Sequence, residues 1–128
     1  MAQAKQILLV DDQADAIDAL AMLLELDGHQ VRTAYSGAGA LAIVDTFIPD
    51  LALIDVSMPD MSGMDLARLL RQNGALAKTR LIALTGYTDE ANRQKTSAAG
   101  FDGHVAKPLS AEQLAGIVAG AGDDVAAT

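Results

Sequence analysis

The chain has 128 residues, of which 51% are hydrophobic and 20% charged, which fits one globular domain and excludes a disordered chain. Seventeen acidic and nine basic residues give a net charge of −8, which argues against direct binding to nucleic acid or an anionic membrane. The chain has no cysteine, so disulfides, thiolate metal sites and cysteine nucleophiles are excluded. No apolar run could span a membrane and residues 1–6 show no signal peptide, so we expect a soluble, cytoplasmic protein.

Five short aliphatic segments recur along the chain and predict five β-strands. Most of them do not alternate polar with apolar residues, which is typical of strands that are buried on both faces of a sheet. Because aromatic residues make up only 3% of the chain, we expect an aliphatic core. The predicted strands are Ile7–Val10, Val31–Ala34, Leu51–Ile54, Leu81–Leu84 and the weaker Gly103–Ala106.

Apolar residues at helical spacing predict a helix after each strand. We expect the second helix to close at Phe47, just before Pro49, and Gly63 to supply a turn conformation before the third. The other helix signals are Gly28 after the first helix, Ser36 before the second, Ser62 before the third, Asp89 and Gly100 around the fourth and Ser110 before the fifth. Alternating strands and helices predict an α/β fold, a three-layer sandwich around a parallel sheet.

The fourth helix, roughly Asp89–Ala99, is the most polar of the five, with only alanines as apolar anchors. We expect it to be marginal and mobile, and the alternative is an ordinary exposed helix. From Ala119 onward the chain is rich in alanine and glycine. We therefore expect one domain over residues 5–118, followed by a flexible tail or the start of a linker over residues 119–128.

Polar side chains follow four of the predicted strands. Asp11 and Asp12 follow the first strand, Asp55 the third, Thr85 the fourth and Lys107 the fifth. Each alone is typical of a turn, a cap or a solvated surface. Because the carboxyl ends of parallel strands lie at one edge of a sheet, however, we expect these side chains to meet there. Together they predict an acidic cluster beside a single lysine.

Such a cluster has a specific chemistry. Neighbouring carboxylates repel one another, so their ionisation is costly unless a cation binds. Hard oxygen ligands with open positions suit Mg²⁺. Beside Mg²⁺ and Lys107, a phosphoryl group could be attacked in line by an aspartate oxygen while Thr85 donates a hydrogen bond. The sequence therefore predicts a Mg²⁺-dependent site for phosphoryl transfer to an aspartate.

Four motifs, in this order and at this spacing, resemble the receiver domain of two-component response regulators. They are LLVDDQAD at 8–15, LIDVSMPDMSGMDL at 53–66, LTGYTD at 84–89 and GFDGHVAKPL at 100–109. The resemblance covers the chain from about Lys5 to Val118. It implies the (βα)5 flavodoxin-like fold, with strand order 2-1-3-4-5.

The resemblance also implies roles for the site residues. Asp55 corresponds to the phosphoacceptor, and Lys107 to the lysine that contacts the phosphoryl oxygens. Mg²⁺ would be held by Asp55, by Asp12 directly, by Asp11 through water, and by the backbone carbonyl of Ser57.

A switch is implied as well, in which the Thr85 hydroxyl moves toward the phosphoryl group. Three residues before Lys107 the family often has tyrosine or phenylalanine, which turns inward with that movement. His104 occupies this position here, so we predict a switch that is sensitive to pH near neutrality, the alternative being a surface histidine. The Lys107–Pro108 bond is implied to be cis.

The implied function is a phosphorylation-controlled signalling module that catalyses only its own phosphorylation and dephosphorylation. A histidine kinase or phosphotransfer protein would donate the phosphoryl group. A downstream output protein or domain would bind the face formed by the fourth helix, fifth strand and fifth helix, which is also a candidate homodimer face.

Two alternative functions and the domain context stay open at the sequence level. A phosphatase using an aspartyl phosphate would need a second carboxylate where Ser57 stands and a substrate cap. A degenerate receiver that binds proteins constitutively would usually lack an acidic residue or the lysine, and all are present here. The chain could be a single-domain regulator or a piece of a longer regulator or hybrid kinase.

Overall fold

The computed structural model describes residues 4–86, 90–107 and 109–120. Within these ranges, five parallel strands form one sheet in the order β2-β1-β3-β4-β5, which confirms the predicted fold and strand order. The strands are β1 (Gln6–Val10), β2 (Gln30–Ala34), β3 (Leu51–Asp55), β4 (Arg80–Thr85) and β5 (Gly103–Ala106). The helices are α1 (Ala14–Leu26), α2 (Gly37–Ile43), α3 (Gly63–Gln72), α4 (Glu90–Ala99) and α5 (Ala111–Val118), with a short 3-10 helix at Gly74–Leu76.

A hydrophobic core lies on each face of the sheet. Alternate residues of β1 point to opposite faces, so Leu8 and Val10 pack with α2, α3 and α4, whereas Ile7 and Leu9 pack with α1 and α5. The central strand β3 is buried along its whole length. The edge strand β2 departs from this pattern because Arg32 is exposed, as is the first residue of the strand. Burial on both faces therefore holds for the inner strands.

Most of the predicted helix ends are confirmed. The hydroxyl groups of Ser36, Ser62 and Ser110 each accept a hydrogen bond from a backbone N–H in the first turn of α2, α3 and α5. Gly28 follows α1 with a φ of 94°, a left-handed conformation that glycine adopts without strain. The predicted cap Asp89 lies outside the described residues.

The second helix was predicted four residues too long. It ends at Ile43, and the backbone N–H of Phe47 still donates to the Ile43 carbonyl in the turns that follow. The Phe47 ring is buried at the end of these turns. An apolar residue is therefore needed at this position for packing in the core, and it does not indicate a longer helix. Periodicity alone cannot separate these two cases.

The predicted turn conformation at Gly63 is wrong. Among the described residues, positive φ angles occur at Gly28, Gly100 and Gly120. Gly63 is instead required by space, because a Cβ there would overlap the backbone carbonyl oxygen of Asp55 and lie 2.7 Å from the Cα of Val56. The start of α3 thus lies directly against the end of β3.

Within the part of α4 whose side chains are described, few residues anchor the helix, as its composition predicts. Thr96 and Ala99 are its buried residues within the described part of the helix. Its mobility remains a prediction. So does the proposed tail, because residues 121–128 lie outside the described ranges. None of the described helices has the length and apolar character needed to cross a bilayer.

Candidate functional site

Three carboxylates meet at the edge of the sheet where the strands end. One oxygen from each of Asp11, Asp12 and Asp55 lies within 4.8 Å of the other two. Asp11 and Asp55 are 1% and 3% exposed, whereas Asp12 faces solvent. The structure therefore brings together the three acidic residues that the strand ends predicted.

Backbone hydrogen bonds orient the two buried carboxylates. Oδ1 of Asp11 accepts a hydrogen bond from the backbone N–H of Gln13 at 2.9 Å, and Oδ1 of Asp55 accepts one from Ser57 at 3.1 Å. In each case the local turn engages one oxygen, which leaves Oδ2 directed at the ammonium group of Lys107. The two aspartates are thus held in fixed orientations by their own connecting loops.

Lys107 completes the cluster. Its Nζ lies 3.2 Å from Oδ2 of Asp11 and 3.5 Å from Oδ2 of Asp55. Its backbone N–H donates to the Thr85 carbonyl at 2.9 Å, which fixes the end of β5 against the end of β4. Burial lowers the pKa of Lys107, but the hydrogen bond to Asp11 and the charges of both aspartates outweigh it and raise the pKa overall.

The described part of the site carries more negative than positive charge. Burial is the main reason that the pKa of Asp55 is raised, and the charge of Asp11 adds to it, while the Ser57 N–H and Lys107 act in the opposite direction. Among the described residues, Lys107 contacts Asp11 and Asp55, and Asp12 adds a third carboxylate to the cluster, so a further cation would stabilise the ionised forms.

The donor set fits Mg²⁺, which prefers hard oxygen ligands, keeps several of its waters and needs few protein carboxylates. Asp11, Asp12 and Asp55 offer such oxygens, and the solvent-facing side of Asp12 gives an ion and its waters access. The Ser57 backbone carbonyl remains a predicted ligand.

The predicted switch residues lie on the neighbouring strands. Thr85 is the last residue of β4 and is 2% exposed. His104 is paired with Ala83 in the sheet and is also 2% exposed, so the alternative of a surface histidine is wrong. Its Nδ1 has no hydrogen-bond partner within the described part of the chain. Burial, with the nearby charge of Arg93, lowers the pKa of His104 and favours the neutral ring.

Arg93 was missed by the sequence reasoning. It lies on α4, and its effect on His104 depends on how that helix packs against β5, for which the four motifs carry no signal. One further predicted feature, the Lys107–Pro108 peptide bond, involves a residue outside the described ranges.

Comparison with known proteins gives consistent matches. The family model of the response regulator receiver domain matches residues 7–119. The phosphate regulon transcriptional regulatory protein PhoB of Pseudomonas aeruginosa is 34% identical over 110 residues, covering 86% of this chain and 48% of that protein. KdpE of Mycobacterium tuberculosis is 36% identical over 108 residues, covering 84% of this chain and 46% of that protein. The chain thus spans about half the length of these curated relatives.

A solved structure supports the same fold. The chemotaxis response regulator CheY4 of Vibrio cholerae superposes with a TM-score of 0.86 at 28% identity, covering 91% of this chain and 98% of that one.

Proposed function

Because the chain belongs to the response regulator receiver domain family, we propose that Asp55 accepts a phosphoryl group from a histidine kinase or phosphotransfer protein. One observation supports this most directly. Asp55 is buried at the end of β3, with one oxygen held by a backbone N–H and the other facing Lys107 beside Asp11 and Asp12. The proposed result is a signalling module whose partner binding depends on phosphorylation.

In the proposed reaction, a carboxylate oxygen of Asp55 forms a bond to phosphorus. The bond between phosphorus and the imidazole nitrogen of the donor breaks at the same time, and its electron pair leaves with that nitrogen. Lys107 then donates a hydrogen bond to a phosphoryl oxygen in place of its present contact with Asp55. Mg²⁺ held by the three aspartates and the Ser57 carbonyl would neutralise charge on the phosphoryl oxygens. Positioning and charge neutralisation are what phosphoryl transfer chiefly requires.

The proposed switch follows from the contact between β4 and β5. The backbone N–H of Lys107 is bound to the Thr85 carbonyl, so the two strand ends are coupled. If the side chains of Thr85 and Lys107 turn toward the phosphoryl group, the face formed by α4, β5 and α5 changes. His104 lies on β5, within this face. We propose this face as the surface that binds an output protein or domain, or a second copy of the chain.

The output lies outside this domain. PhoB and KdpE are named transcriptional regulatory proteins, and this chain spans about half of each. With a net charge of −8, the domain itself is poorly suited to contact DNA. We therefore propose that it acts through a protein partner or a linked domain.

The first test is the intact mass of the protein after incubation with Mg²⁺ and a small phosphodonor. We expect one phosphoryl adduct on the native chain, none on Asp55→Asn, and none when Mg²⁺ is removed by chelation. Asp50→Asn is the matched control, since Asp50 accepts a hydrogen bond from the Gln6 N–H at the opposite end of the sheet and should leave the adduct intact.

A missing adduct with a small donor is followed by incubation with a phosphorylated protein donor. If the native chain again stays unmodified, and Asp55→Asn keeps normal partner control, the proposal is wrong and a constitutive protein-binding module is favoured. Rapid turnover of an added phosphomonoester would instead favour a phosphatase.

His104 gives a prediction about pH. Because its pKa is lowered in the folded protein, the unfolded chain binds a proton first as the pH falls. The contribution of His104 to stability is therefore complete above its ordinary pKa of about 6.5 and is lost as the pH falls toward the lowered value. Urea unfolding should show this loss in the native chain and not in His104→Phe. Arg93→Gln should show a smaller loss than the native chain. If the free energy of unfolding falls equally with pH in all three proteins, His104 is not the group responsible.

A further inference from the structure

Arg71, on the last turn of α3, forms an extended set of hydrogen bonds outside the acidic site. Its Nε donates to the Gly100 carbonyl at 2.8 Å and its Nη1 to the Thr79 carbonyl at 2.8 Å. Its Nη2 pairs with Oδ2 of Asp102, also at 2.8 Å. A single guanidinium thus joins α3 to the segment before β4 and to the turn between α4 and β5.

The α4–β5 turn is fixed from several directions. The same Oδ2 of Asp102 accepts a hydrogen bond from the Leu81 N–H at 2.9 Å, and the Asp102 N–H donates to the Leu81 carbonyl at 2.7 Å. Gly100 has a φ of 109°, and a Cβ there would lie 2.7 Å from Cγ of Arg71. The arginine side chain therefore packs directly on the backbone where α4 ends.

The turn that these hydrogen bonds hold lies between two parts of the proposed switch, α4 and β5. The turn that Arg71 holds leads directly into β5, whose second residue is His104 and which is followed by Lys107. On the other side of the turn, the described part of α4, from Arg93 onward, has Thr96 and Ala99 as its buried residues. We propose that Arg71 is a positioning residue that keeps the α4–β5 turn fixed while the acidic site changes state, so that α4 moves about its C-terminal end. The second half of this proposal rests on the proposed function.

The fixed turn can be tested without phosphorylation, by amide hydrogen exchange of the resting protein. The N–H groups of Leu81, Gly100, Phe101 and Asp102 all have acceptors in or next to the turn. In Arg71→Met we expect these amides to exchange at least about tenfold faster, the factor for losing one charge-assisted hydrogen bond, while β1 and β3 amides change little. A uniform increase across the sheet, or none, would overturn the proposal.

Three further variants make this test specific. Arg68→Met removes an arginine one turn earlier, whose ion pair with Asp65 is exposed, so it should leave the four amides unchanged. Arg71→Lys keeps the charge but cannot supply the planar set of donors. The four amides should therefore exchange faster in this variant than in the native chain. If Arg71→Met fails to fold, Asp102→Asn weakens the pairing with Arg71 while its side-chain oxygen can still accept from Leu81.

The second half is tested in buffer that contains Mg²⁺ throughout, by amide chemical shifts measured before and after adding a small phosphodonor. In the native chain we expect shifts around Asp55, Thr85 and the first half of α4, with Gly100 to Asp102 nearly unchanged. In Arg71→Met the changes should extend to Gly100 to Asp102. Large chemical-shift changes at Gly100 to Asp102 in the native chain would refute the proposal that the C-terminal end of α4 stays fixed. If Asp55 itself shows no response, the proposed function has failed, and the exchange experiment alone decides the role of Arg71.

Discussion

Replacement of Lys107 by methionine is expected to abolish accumulation of the phosphoryl adduct and to destabilise the fold at neutral pH. The side chains of Asp11 and Asp55 are 2% and 4% exposed, and Lys107 is the cation that faces both. Without it, the two buried carboxylates repel each other and the ammonium charge that offsets this repulsion is gone. In Mg²⁺-free buffer we expect a loss of about 1–3 kcal/mol in the free energy of unfolding, the usual cost of leaving a buried polar group unpaired.

The pH dependence of this loss identifies its cause. The pKa of Asp55 is already raised, so ionising this group favours the unfolded chain as the pH rises above the ordinary aspartate range. Removing the Lys107 charge should raise that pKa further. The difference between native and Lys107→Met should therefore be largest at neutral pH and shrink toward about pH 4, where Asp55 takes up a proton.

Urea unfolding at the two pH values measures this difference. Lys78→Met is the matched control, because Lys78 is an exposed lysine between α3 and β4. Adding Asp55→Asn to Lys107→Met should recover part of the lost stability, since one of the two unpaired charges is gone. An equal loss at both pH values, or no recovery in the double variant, would show that Lys107 contributes packing and not charge.

The acidic cluster could be predicted from sequence because its geometry follows from topology. Once Asp11 and Asp55 are known to end neighbouring parallel strands, the sheet itself brings them together. The same reasoning places Lys107 at that edge. Strand order needed the resemblance to a known family, since aliphatic runs alone do not reveal which strands are neighbours.

Features that depend on packing between distant segments could not be predicted. The burial of His104 is set by the elements that cover β5, and the Arg71 contacts are made largely to backbone carbonyls, which every residue carries. The end of α2 was predicted wrongly because Phe47 packs in the core although it lies beyond the helix. The requirement for Gly63 depends on how closely α3 approaches β3.

That close approach leads to the second large effect, which we expect from Gly63→Ala. The atoms in the way belong to the backbone of Asp55 and Val56, so they cannot rotate aside as a flexible side chain could. The Gly63 N–H also donates to the Val56 carbonyl at 3.2 Å, which holds the start of α3 against the end of β3. Relieving the overlap requires this contact to open and displaces the strand end that carries the proposed phosphoacceptor.

We expect Gly63→Ala to lower the free energy of unfolding by about 1–3 kcal/mol, the typical cost of overpacking a well-packed site. Formation of the phosphoryl adduct should slow as well, because Asp55 moves relative to Lys107. Gly74→Ala is the matched control, since a Cβ there meets nothing within 4 Å. Urea unfolding and the rate of adduct formation are compared for the two variants. Equal values for both would mean that α3 shifts without cost, and that the position of Asp55 does not depend on its contact with this helix.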